Sequence, residues 1–400
     1  MRSVNAIFRE WVDGAPAKCY NLPMQTIVEL SKKYGINAEY ASVAFYPVFR
    51  AGVAGCRVLL VSDENTCRYA APFAEKLRGY GIAAEEFVLP AREPVADEAT
   101  CAAVEARAKG ACDYVLAVGA GTINDIVKYV TFRLGLPCGV LATAASMDGY
   151  ASGVTPLIRK GVKVTESAHT VRDILLDTEI LRNAPRIMTG AGVGDILAKF
   201  CCLTDWKLSS LLTGEALNTD AMALMRDALD GCVASLPNIR AGGVAGLNDL
   251  MRALLVSGYA MVIAGNSRPA SGAEHHMSHY LEMDFLRRGK PIPLHGVKVG
   301  LGTLVSLHLY KRVAALPQEF AGKEIAAALA VPLPSPEWAA EQLASFGCPT
   351  RFSEIGVPEE TFRAMLLHAH ELRDRFTILA LYNRNGLTEG MLGELTELFY

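Results

Sequence analysis

Apolar positions change rhythm about halfway along this chain. Over the first 180 or so residues, short β-rich runs alternate with helical stretches. RVLLVSD (Arg57 to Asp63) reads as a buried strand ending in an acid, and a helical stretch through Phe73 and Leu77 follows. Next come a strand over Glu85 to Leu89, a helix over Glu98 to Lys109, the strand DYVLAVG (Asp113 to Gly119) and the strand CGVLAT (Cys138 to Thr143). Strands separated by helices of this length predict a parallel sheet with helical crossovers. Thr155 to Thr165, with Arg159-Lys160-Gly161 at its middle, reads as an added hairpin. From about Leu181 the pattern is almost wholly helical. Amphipathic stretches lie near Asp195–Leu212, Ala221–Leu236, Leu247–Ala264, Ala273–Arg288 and Val299–Ala314, then around Glu337–Ser345, Glu359–Phe376 and Leu387–Phe399. The predicted architecture is an α/β N-terminal domain (residues 1–180) with a parallel, nucleotide-binding sheet, followed by an all-helical C-terminal domain (181–400), with a ligand in the cleft between them.

Composition narrows the function. A hydrophobic content of 51% with 20% charged residues supports large cores, and the net charge of −3 gives no reason to expect nucleic acid or an anionic membrane as partner. The N-terminus carries Arg9, Glu10 and Asp13 where a signal peptide needs an apolar run. The longest apolar stretch, Ala253 to Gly265, is too short for a bilayer and reads as a buried helix. Ten cysteines without a CxxC pair suggest reduced thiols in a cytoplasmic protein, with the vicinal Cys201 and Cys202 in a core.

The candidate chemistry is concentrated in SGAEHHMSHYLEMDFLRRGKPIPLHGVKVG, which holds four of the eight histidines. His275 and His279 are one turn apart on a helix and share a face, whereas His276 points away from it. His295 follows a Pro-rich break that lets it fold back towards them. Two imidazoles with a carboxylate hold one divalent cation and leave coordination positions open, which suits catalysis. The prime carboxylate is Asp195 in TGAGVGDILAKF, read as the start of a helix behind three glycines; alone it would pass for an N-cap. Ser271 and Glu274 form a capping-box pattern that starts the next helix just before His275. His169, His308, His368 and His370 read as structural.

Two loops suit a dinucleotide. VGAGTINDIVKY joins a strand to a helix, and Gly119 and Gly121 would let backbone amides approach a diphosphate, with Asn124 and Asp125 in cap positions. It lacks the third glycine of the usual dinucleotide fingerprint and is weak by itself. LATAASMDGYASGVTP places Thr143, Ser146, Asp148 and Ser152 after another strand. Asp63 is either a partner for a ribose diol or a turn acid before Asn65.

Taken together, GAGTINDIVKY, TAASMDGYAS, GVGDILAK, SRPASGAEHHMSHYLEM and LHGVKVG, in this order, resemble the sn-glycerol-1-phosphate dehydrogenases. The likeness is strongest to their bacterial branch, within the iron-dependent alcohol dehydrogenase and dehydroquinate synthase-like superfamily. It runs from about Arg57 to Leu309; residues 1–50 and 315–400 carry no transferable motif. The resemblance implies Asp195, His275 and His295 as metal ligands, and Asp148, Asp195 and His279 as substrate contacts. It also implies that Asp63, Gly119, Ala120, Gly121, Thr122, Ile123, Thr143, Ala144, Ala145, Ser146 and Ser152 bind NAD(P). Ala120 departs from the family's usual glycine triplet. The implied reaction is reversible reduction of dihydroxyacetone phosphate to sn-glycerol 1-phosphate, with nickel, zinc or iron as the cation and a homodimer or higher homo-oligomer as the assembly. Arg268 or Lys199, each beside a site motif, is the expected cation for the phosphate. Rival readings are a glycerol-type polyol dehydrogenase, a dehydroquinate synthase-like lyase and a non-catalytic nucleotide-binding protein.

Overall fold

The computed structural model describes residues 37–40, 46–313, 322–330 and 333–400. The chain falls into two compact units, the first including Leu22–Pro185 and Ala241–Tyr259, the second Arg186–Arg240 and Ala260–Tyr400. The first unit is built on strands β1 (Asn37–Tyr40), β2 (Arg57–Asp63), β3 (Ala83–Leu89), β4 (Tyr114–Gly119) and β5 (Cys138–Ala142). After a separate hairpin, β6 (Val154–Arg159) and β7 (Val162–Ser167), β8 (Asp173–Leu176) completes the sheet. The order is β1-β8-β5-β4-β2-β3, with every neighbouring pair parallel. β4 and β5 are buried along their whole length, which is why YVLAVG and CGVLA read as continuous apolar runs. The four predicted strands are present. β1 and β8 were not predicted, because four residues such as DILL are too few to show a period.

Helices α1 (Pro47–Gly52), α2 (Cys67–Gly79), α3 (Glu98–Ala108), α4 (Gly121–Leu134) and α5 (Thr178–Arg182) join and flank these strands. The predicted hairpin forms around Lys160 (φ 49°) and Gly161 (φ 75°), the two positive angles that a tight two-residue turn requires. β3 lies on one side of β2 and β4 on the other, so the chain order reverses between β2 and β4. Loops leaving the carboxyl ends of strands at such a reversal form a natural ligand crevice.

The second unit holds α6 (Arg186–Leu197), α7 (Lys199–Thr213), α8 (Thr219–Arg240), the end of α9 (Val244–Ala264), α10 (Ala273–Arg287) and α11 (His295–Val313). It continues with α12 (Gly322–Ala328), α13 (Pro336–Ser345), α14 (Glu359–His368), α15 (Ile378–Arg384) and α16 (Thr388–Phe399). By length and hydropathy, Arg186–Thr213 and Val244–Ala264 could cross a membrane, yet 83% and 61% of their apolar windows are buried inside this fold. Two predicted helices have different bounds. The stretch assigned to Asp195–Leu212 begins at Arg186 and is divided at Ala198. The stretch assigned to Glu359–Phe376 stops at His368 and gives way to a short 3-10 turn and an extended Arg373 (φ −144°, ψ 143°). Thr377 then caps α15 by accepting from the Ala380 N–H at 3.3 Å, which demands an extended approach. Leu372 and Phe376, four apart, had imitated a continuing helical face.

Glycines let α6 and α11 touch backbone to backbone. A Cβ on Gly194 would lie 2.5 Å from the Gly296 carbonyl oxygen, and one on Gly296 would overlap the Ala191 carbonyl. The glycines before Asp195 thus lie inside α6, where Gly190 and Gly194 are packing residues, and no helix begins there.

Candidate active site

That close approach carries Asp195, near the end of α6, to the start of α11, whose first residue is His295. His275 comes from the first turn of α10. One ligand atom from each of the three can be chosen so that all lie within 4.8 Å of one another. His275 Nε2 is 3.8 Å from Asp195 Oδ1, and the His275 and His295 ring centroids are 5.2 Å apart. Bonds of about 2.0–2.2 Å from a central divalent ion to a carboxylate and two imidazoles fit such a triangle. The predicted trio therefore converges, although the reason given for Asp195 does not hold: it sits near a helix C-terminus, fully buried, and is not an N-cap.

Neighbouring carboxylates aim the rings. Glu274 Oε1 is 2.9 Å from His275 Nδ1, which turns Nε2 towards Asp195. Burial, then the charges of Lys199, His295 and His279, push the His275 imidazole well below its usual range, so the ring is neutral and its lone pair available. Glu282 Oε2 is 3.1 Å from His279 Nδ1, and its Oε1 is 3.2 Å from Lys298 Nζ. Lys298 in turn donates to the Pro293 carbonyl at 2.5 Å, fixing the Pro-rich entry to His295. His279 stands beside the trio, its ring centroid 6.4 Å from His275 and 6.5 Å from His295.

The expected capping box does not form. Gly272 is the N-cap of α10 and donates its N–H to Glu274 Oε1 at 2.6 Å, while the buried Ser271 Oγ makes no hydrogen bond. Glu274 is recruited to the histidine, and burial with the charge of Asp205 pushes its carboxyl up. The signal for Glu274 and Glu282 was their spacing: one precedes His275 and the other is one helical turn from His279.

Both expected phosphate cations are engaged elsewhere. Lys199 Nζ donates to Asp195 Oδ1 at 2.8 Å and to the Ala270 carbonyl at 3.1 Å. Arg268 is clamped by Glu215 through both carboxylate oxygens and also donates to the Phe376 carbonyl at 3.1 Å.

In the first unit, the proposed dinucleotide residues gather at the carboxyl ends of β2, β4 and β5. Ala120 is the N-cap of α4, and no side chain caps that helix, unlike α3, where Asp97 accepts from the Thr100 N–H. The first amides of α4 are thereby suited to an anion. Gly119 is required by Ile123: a Cβ would lie 2.6 Å from its Cγ1. Gly121 faces Met147 in the same way, and Thr122 is exposed. Thr143 N–H donates to the Gly119 carbonyl at 3.1 Å, holding the two loops together. Ala144, Ala145 and Ser146 are buried, and the Tyr150 hydroxyl donates to the Ala144 carbonyl. Ser152 Oγ accepts from the fully buried Lys128 at 3.0 Å. Asp148 Oδ2 accepts from Ser257 Oγ at 2.6 Å. Asp63 Oδ1 accepts from the N–H groups of Asn65 and Thr66 and from Thr66 Oγ1, the turn reading of that acid. Asn124 does not cap α4; its side-chain amide is buried and makes no hydrogen bond.

Residues 47–185 match the family model of iron-containing alcohol dehydrogenases. A glycerol-1-phosphate dehydrogenase (NAD(P)+) of Bacillus velezensis is 40% identical, covering 82% of this chain and 85% of its own length. The chain belongs to the glycerol-1-phosphate dehydrogenase family. Another member, from Methanosphaerula palustris, is 33% identical over 86% of this chain and 87% of its own. Among solved structures, a probable glycerol dehydrogenase from Sinorhizobium meliloti superposes with a TM-score of 0.64 at 18% identity, covering 91% of this chain and 98% of that one. A glycerol dehydrogenase from Schizosaccharomyces pombe gives 0.63 at 16% identity, with 90% of each chain covered. These two share the fold. The expected architecture, a parallel α/β sheet followed by a helical remainder, is the one observed in this chain.

Proposed function

We propose that this protein catalyses the reversible reduction of dihydroxyacetone phosphate to sn-glycerol 1-phosphate with NAD(P)H, using a divalent cation held by Asp195, His275 and His295. The convergence of those three side chains, Asp195 and His275 buried and His295 half-buried, in a member of this family, carries the reading. When bound, the cation supplies Lewis acidity to the ketone oxygen and the nicotinamide supplies the hydride. The chain's own residues do the rest. Glu274 and Glu282 hold two imidazoles at Nδ1, with Nε2 of His275 towards Asp195 and Nε2 of His279 beside Arg373. His279 would deliver a proton to the nascent alkoxide or orient a substrate hydroxyl from Nε2. Asp148, fixed by Ser257, would accept from a substrate hydroxyl.

On the first unit, the amides of Gly119 to Ile123 would receive the cofactor diphosphate, and Thr143 to Ser146 with Ser152 would line its bed. Asp63 beside the ribose would repel a 2′-phosphate, favouring NAD over NADP. Every described cysteine is free, in keeping with a reducing, cytoplasmic setting.

The test is NADH oxidation by protein stripped of metal and resupplied with nickel, zinc or iron. Turnover restored by one cation, with dihydroxyacetone phosphate and far less with dihydroxyacetone, is the expected result. Equal turnover of the unphosphorylated ketone would make it a polyol dehydrogenase. No oxidation with any cation would overturn the proposal.

A further inference from the structure

Residues 369–377, outside every motif noted in the sequence, place two arginines beside the histidines. Arg373 Nη2 lies 3.4 Å from His279 Nε2. Arg375 follows in a tight turn, its N–H bonded to the Arg373 carbonyl at 2.8 Å, and its buried Nη1 makes no hydrogen bond. The carboxylates that act on them are shared with other groups. Glu282 faces Arg373 but is bonded to His279 and Lys298. Glu215 faces Arg375 but is clamped by Arg268 and accepts from Ser209. His276 adds a fully buried ring whose two nitrogens make no hydrogen bond, and Arg373 and Arg375 lead the charges that act on it.

Cations crowded together without a bound anion repel one another. Burial, followed by the charges of Arg373 and Arg268, pushes the Arg375 guanidinium down to about 10. A fold holds such a cluster when an anion completes it, and a planar guanidinium suits phosphoryl oxygens. Arg268 keeps the turn in place through the Phe376 carbonyl, and each of its three nitrogens is already bonded.

We infer that Arg373 and Arg375, with His276 behind them, form the phosphate-binding subsite for the substrate. The inference rests on the triose-phosphate reading above. His279 links the two groups: it meets Arg373 at 3.4 Å, and its ring centroid is 6.4 Å from that of His275 and 6.5 Å from that of His295. The two residues first expected to bind the phosphate are held by other partners: Lys199 by Asp195 and Arg268 by Glu215.

The experiment compares the metal-loaded wild type with Arg373→Met and Arg375→Met, which keep side-chain length and lose the charge. For each variant, kcat/KM for dihydroxyacetone phosphate should fall roughly 10- to 100-fold, chiefly through KM, as expected for losing a charged hydrogen bond. Inhibition by inorganic phosphate should weaken in parallel. NADH binding and thermal unfolding report whether the variants are intact, and Arg375→Lys should recover part of the loss. In the wild type, inorganic phosphate should also protect Arg373 and Arg375 from an arginine-specific dicarbonyl reagent, a result that needs no variant to fold. Unchanged KM and phosphate inhibition in folded variants, or equal modification with and without phosphate, would overturn the inference. A wild type indifferent to the substrate's phosphate would overturn the triose-phosphate reading instead; protected arginines under that result would still support an anion site.

Discussion

Glu274 carries two duties with one carboxylate oxygen: it accepts from the Gly272 N–H and meets His275 Nδ1. Removing it leaves a ligand ring free to rotate. Glu274→Ala should weaken metal binding by roughly 10- to 100-fold, the usual effect of losing such a support. Metal titration monitored by recovered activity checks this, and unchanged affinity would mean that packing alone orients His275. The histidines were legible in the sequence because spacing on a helix maps directly to a shared face. Asp195 was identified with the wrong local reason, since glycines before an acid resemble a helix start as much as a packing seam. Arg373 and Arg375 were illegible: the turn that presents them is set by the Thr377 cap and by Arg268, which is distant in sequence.

Two kinds of helical glycine behave oppositely. In α11, Gly296→Ala gains about 1 kcal/mol of helix propensity but drives a methyl group into the Ala191 carbonyl. Overpacking against backbone costs about 3 kcal/mol, so the clash wins. Thermal stability and metal affinity should drop together, since the same contact places Asp195 beside His295. In α16, Gly393 is exposed and a Cβ would meet nothing within 4 Å. Gly393→Ala should therefore stabilise by about 0.5–1 kcal/mol with activity unchanged. Calorimetry on both variants decides the matter, and equal signs would refute the packing argument. The parallel sheet was legible in its central strands, whose apolar runs are unbroken. Its edge strand β1 depends on pairing with β8, far along the chain, and no local pattern announces that.

The whole molecule should respond to the cation as any fold responds to a ligand that prefers the native state. At a metal concentration 100 times the dissociation constant, binding stabilises by about 2.7 kcal/mol. For a chain of 400 residues this is a rise in Tm of a few degrees. Chelation should reverse it, and His275→Ala should show no metal-dependent rise at all. A metal-dependent shift that survives in that variant would place the ion elsewhere.

The buried ammonium of Lys199 on Asp195 has a consequence for how the enzyme comes to life in the cell. A lone carboxylate sealed in a helical core would oppose folding until an ion arrived, and the newborn chain would depend on scarce metal to mature. With its own positive charge already seated, the chain can complete its fold empty. On the proposed metal site, an arriving ion would have to displace the ammonium already seated on Asp195. The yield of folded chain would then be independent of metal supply, and only its activity would wait for the ion.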